Sequence, residues 1–148
     1  MATAIEVTEE LFNKVTDTLN EEFKVHKIVP NILYHTNVST DVNIDEFRVY
    51  LNRRIFREQQ DTLCVNVTDF GRVRYQSEGV VQVSFFAPRG VKSSSKVIEI
   101  VAQNLKNKLR KSQFNCFWLR NITATPYNIE NNSYRYEVTA TYIFDEIV

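Results

Sequence analysis

The hydrophobic positions change period along the chain. Leu11, Val15, Leu19 and Phe23 recur every fourth residue with Phe12 beside them, the stripe of an amphipathic helix. Thr3-Ala4-Ile5-Glu6 has capping-box spacing, so this helix starts near residue 4. It ends before Lys27, because Pro30 cannot lie within it. A short strand follows around Ile32–Thr36, and STDVNID reads as a loop. Phe47, Val49 and Leu51 then alternate with Arg48 and Tyr50, the period of a strand, which runs on raggedly to Arg57. LCVNV is a further short strand and DFG a turn.

The stretch GVVQVSFFAPRG carries the clearest alternation. Val81, Val83, Phe85 and Ala87 share one face and are expected to meet the core; Val80, Gln82, Ser84 and Phe86 share the other. Val73 and Tyr75 begin this strand, and Pro88 and Gly90 end it. A serine of Ser93–Ser95 is placed to cap a second helix, whose stripe is Val97, Val101, Leu105 and Leu109. The rest reads as a hairpin: FNCFWLRNITAT, a polar connection PYNIENNS, and YRYEVTATYIF. In the last strand Tyr134, Tyr136, Val138, Ala140, Tyr142 and Phe144 fall on one side. Arg135, Glu137, Thr139 and Thr141 fall on the other, as expected of a sheet with one wet face.

Strands come in runs rather than alternating with helices, so the class is α+β. The expected architecture is a mixed, mostly antiparallel β-sheet with two amphipathic α-helices packed on one face. The 148 residues suit one domain, 1–148. At 43% hydrophobic and 12% aromatic, the chain can fill a real core.

Charge adds a second pattern. Eighteen basic residues balance eighteen acidic ones, which argues against sequence-independent nucleic-acid binding through phosphate neutralisation. The charges are segregated all the same. Residues 1–22 hold six acids against Lys14, a net of −5. Residues 92–111 hold six bases against Glu99, a net of +5. The two helices either pair within one subunit or meet across a subunit boundary in a head-to-tail ring. Glu9, Glu10, Asp17, Lys106, Lys108 and Arg110 are the candidate lateral contacts. Arg53, Arg54, Arg57, Arg72 and Arg74 form a basic cluster. It either meets phosphate or an acidic partner, or is a solvated strand edge whose charge discourages pairing.

Catalytic patterns are missing. Val91 separates Gly90 from Lys92 and Phe85 stands five residues before Gly90, so no phosphate-cradling loop exists there. There is no GxGxxG and no GxSxG. Cys64, Cys116, His26 and His35 have neither zinc-ligand spacing nor a nucleophile signature. No catalytic residue, metal or cofactor is expected, and no apolar run is long enough to span a membrane. Strong fold signals with weak site signals favour a structural or interaction protein over an enzyme.

The run DFGRVRYQSEGVVQVSFFAPRG, followed by an amphipathic helix, resembles the middle of lambda-type phage tail terminator (tail completion) proteins. Arg74, Gly79, Val81, Val83, Pro88 and Gly90 stand approximately in that family's pattern, with a spacing of five rather than three between Arg74 and Gly79. PNILYHTN after the first helix and YRYEVTATYIFDE near the end fit the same order. KSSSK replaces an expected glycine, and Asn43 to Asp69 is longer and more charged than the family pattern. The resemblance implies a non-enzymatic structural virion protein, made in the host cytoplasm. It would form a homohexameric ring at the head-proximal end of the tail. Its partners would be itself, the tail tube protein and a head-completion or connector protein, with double-stranded DNA passing unread through the lumen. The alternatives are a neck or head-completion protein on the portal side, and a small nucleic-acid-binding α+β domain using the arginine cluster.

Overall fold

A computed structural model describes residues 4–36, 46–57, 74–88, 93–114, 117–126 and 133–147. The elements are α1 (Ala4–Val25), β1 (Asn31–Tyr34), β2 (Arg48–Arg57), β3 (Arg74–Pro88), α2 (Ser94–Lys111), β4 (Trp118–Pro126) and β5 (Ser133–Ile147). They form one five-stranded sheet in the order β1-β2-β3-β5-β4. β1 runs parallel to β2, and every other pairing is antiparallel. The class is α+β, as the change of period predicts.

Both helices bury their stripes on the same sheet face. Leu11, Val15, Leu19 and Phe23 of α1 share one core with Val101, Leu105 and Leu109 of α2, and with Val83, Phe85, Val138 and Phe144 of the sheet. The register explains it: Val49, Phe85 and Tyr136 lie in one cross-strand row, and Leu51, Val83 and Val138 in the next. Burying side chains of this size contributes about 1.5–3 kcal/mol each.

α1 covers the β1–β2 side. Phe12 meets Tyr34 and His35, and Phe23 meets Phe47 and Phe85. α2 covers the β3–β5–β4 side. Its start is tied to the Pro88 end of β3, and its end reaches Phe117 and Trp118. The helices therefore run antiparallel, and the beginning of α1 lies at the same end of the sheet as the end of α2.

At that end Gly79 has a clear steric role. A Cβ there would collide with the Tyr142 ring and the Arg54 carbonyl. Glycine lets the ring lie flat over β3, where the Tyr142 hydroxyl approaches the Arg54 carbonyl oxygen at 3.4 Å.

Three expectations need correction. No serine side chain caps α2: Ser93 takes a left-handed backbone (φ 64) and its hydroxyl makes no cap bond. Ser94 instead donates to the Pro88 carbonyl at 2.5 Å, using its hydroxyl to join the strand end to the helix. β4 begins at Trp118, not at Phe114. Phe114 and Phe117 stack on each other outside the strand, with ring centroids 4.3 Å apart. The second sheet face is not uniformly wet, since Tyr50, Ser84, Phe86 and Glu137 are buried on it. The expected LCVNV strand and DFG turn lie outside the described residues.

Candidate functional site

Strand alternation decides the fate of the predicted arginine cluster. Arg53 and Arg54 are consecutive in β2 and project to opposite faces. Arg53 follows Leu51 onto the helix-covered face, where its guanidinium lies beside Tyr142. Burial raises the phenol above its ordinary value of 10.0, and Arg53 partly offsets that rise. Arg54 stands exposed on the open face. It borders a shallow depression of about 270 Å3 lined by Asn52, Arg53, Arg54, Val80, Gln82 and Thr139. Arg57 closes β2 opposite Ser77, and Arg74 opens β3 opposite Ile147. Arg72 lies outside the described residues. Arg53 and Arg54 are thus the cluster members whose side chains are described, and both border that depression although they leave the strand on opposite faces.

The open face carries a polar network that alternation alone does not announce. Glu137, 4% exposed, accepts a bond from the Gln82 amide and one from Arg135 at 3.0 Å. Arg135 also lies over the Phe86 ring at 5.3 Å, a cation–π contact. Phe86 meets Tyr50 edge-on at 5.6 Å, and the Tyr50 hydroxyl accepts from Arg48 at 3.2 Å. Two carboxylates at the margins take further arginines: Glu46 lies 3.4 Å from Arg48, and Glu78 lies 2.9 Å from Arg120. The one clue in the sequence was Tyr50 and Phe86, large aromatics out of step with the core face.

The helix layer is electrically divided. The exposed stripe of α1 includes Glu6, Glu9, Asn13, Asp17 and Glu21 at near-turn spacing. The exposed face of α2 includes Lys96, Lys108, Arg110 and Lys111, with Glu99 the described acid among them. Of the candidate lateral contacts, Glu9, Asp17, Lys108 and Arg110 are exposed, and Glu10 and Lys106 are half-buried. The helices touch within the protomer, where Asn104 of α2 donates to Glu22 of α1 at 2.9 Å. Because α1 covers one sheet edge and α2 the other, the outward surface is acidic on the β1 side and basic on the β4 side.

Both edges are short or broken. β1 has four residues. β4 shifts register between Arg120 and Thr123, around Asn121 with φ 53. Such interruptions limit open-ended strand pairing. Exposed apolar side chains sit near both margins: Val25 at the end of α1, Val29 beyond it, Tyr34 on β1, and Trp118 on β4.

His35 follows β1 and packs against Phe12 at 5.2 Å, and His26 lies just past α1. Among the described residues, no group of three His, Cys, Asp or Glu side chains is placed to hold a metal. Cys64 and Cys116 lie outside those residues. No known protein-family profile matches the chain, and no curated protein matches it.

Proposed function

We propose that this protein is a structural component of a phage virion. Six copies form a ring on the head-proximal end of the tail tube, stop tube growth and offer the surface to which the head-side connector joins. The observation that carries this reading is the divided helix layer. Repeating the protomer side by side, β4 edge towards β1 edge, sets the basic α2 of one copy beside the acidic α1 of the next. That contact is heterologous, and such contacts close into rings when the rotation permits. Opposed charge steers the encounter and fixes its register. The order of elements and the central position of β3, which bears the resemblance to tail terminators, support the same assignment.

A nucleic-acid-binding domain needs an unbroken basic surface. Here Arg53 and Arg54 part to opposite faces, while Arg48, Arg120 and Arg135 each meet a carboxylate. A ring lumen that lets double-stranded DNA slide has the opposite requirement, and paired arginines suit it.

The direct test removes the protein from an otherwise complete phage. Electron microscopy of the lysate is expected to show tails of uncontrolled length, unattached to heads. Tails of normal length joined to full heads would contradict the assignment.

A further inference from the structure

The end of α2 and the start of β4 enclose a cleft of about 340 Å3, where aromatic and aliphatic side chains stand beside Arg110, Ser112 and Gln113. Leu109, Phe114, Phe117, Trp118 and Ile122 form its walls and Arg110 lies at its rim. Among the described residues, no carboxylate lines it. Phe114 and Phe117 are stacked, and Trp118 remains 46% exposed beside them. An open aromatic cleft with a cationic rim fits an apolar side chain with an acid nearby, the composition of a protein interface anchor.

The chain supplies such an anchor. Ile5, in the first turn of α1, is 66% exposed. Glu9 is exposed one turn later on the same side of the helix. Ile5 cannot reach the cleft of its own protomer, because α1 flanks the β1–β2 side and the cleft lies at β4. Both lie at the Gly79 end of the sheet, since the helices run antiparallel. Side-by-side repetition brings them to the same height.

We infer that the cleft at the end of α2 is the socket for the first turn of α1 from a second copy of this chain. Ile5 enters between Trp118 and Phe114, and Glu9 meets Arg110. This rests on the ring reading and assigns its lateral contact. Insertion covers the two exposed apolar surfaces together, and the Glu9–Arg110 pair sets which end of α1 enters.

The test mixes two single variants, Ile5→Cys and Gln113→Cys, with Cys64 and Cys116 replaced by serine. Gln113 is exposed at the cleft margin. Under mild oxidation on tail tubes or at high concentration, disulfide-linked dimers are expected from the mixture and not from either variant alone. Emission from Trp118, the sole tryptophan, is expected to shift to shorter wavelength on assembly. Arg110→Glu is expected to weaken association roughly tenfold, and Glu9→Arg in the same chain to restore it. Six-fold rings that form without the cross-link, or with unchanged Trp118 emission, would overturn the socket and leave the ring intact. No self-association in solution or on tubes would overturn both.

Discussion

Phe85 and Phe86 are neighbours in β3, both sealed from water, and sealed by different means. Phe85 lies under the helices among aliphatic and aromatic side chains, where α1 contributes Phe23. Phe86 lies on the other face, against Tyr50 and beneath the guanidinium of Arg135. The first environment is held by apolar burial and close packing. The second depends on a carboxylate, an amide and a guanidinium keeping their mutual geometry, because a buried charge without its partner is costly. The sheet therefore has one face sealed by packing under the helices and one sealed by matched polar partners.

That contrast can be broken most sharply at the covered face. Gly79→Ala drives a methyl group into Tyr142 and the Arg54 carbonyl. It is expected to cost about 3 kcal/mol, the upper range for overpacking, read as a lowered midpoint in urea. Unchanged stability would mean that Tyr142 does not lie over β3.

On the open face, Glu137→Gln keeps the shape and removes the charge facing Arg135. A loss of about 2 kcal/mol is expected, the scale of a buried charged hydrogen bond. A urea midpoint unchanged from the wild type would show that shape, not charge, matters there.

A smaller effect comes from Tyr142. Its folded phenol ionises above 10.0 because of burial, so the unfolded chain loses that proton first. Stability is then full below pH 10 and falls as pH rises above it. Tyr142→Phe should flatten this alkaline decline, measured by thermal melts across that range. A variant that declines as steeply as the wild type would place the titrating group elsewhere.

The smallest change in stability is expected from Arg54→Glu, because Arg54 is exposed on the open face. The folded protomer should melt within about 0.5 kcal/mol of the wild type, as surface substitutions do. Head-to-tail joining, scored as infectious particles, should fall. Normal particle yield would remove Arg54 from the joining surface.

Much of the covered face was legible in the sequence. The four-residue stripes of α1 and α2, and the alternation from Val81 to Ala87 and from Tyr134 to Phe144, follow directly from which positions must avoid water. The open face was less so. Glu137 sits where alternation expects a solvated residue, and its burial depends on Arg135, Gln82 and Phe86 arriving from two strands in one register. The expected serine cap did not form, and three serines in succession offer equivalent hydroxyls to the sequence reader. The exit of β3 at Pro88 selects Ser94 for a different bond. Phe114 and Phe117 look strand-like, yet they stack on each other and leave Trp118 open. The arginine cluster illustrates the same limit: adjacent residues in sequence are on opposite faces of a strand.

The central claim is that copies of this chain close into a ring at one end of a tail. Electron microscopy of the native particle, with the protein marked by a C-terminal tag, measures both symmetry and position. A six-fold ring at the head-proximal end of the tail tube is expected. Finding the protein only inside the head, or absent from the particle, would contradict it.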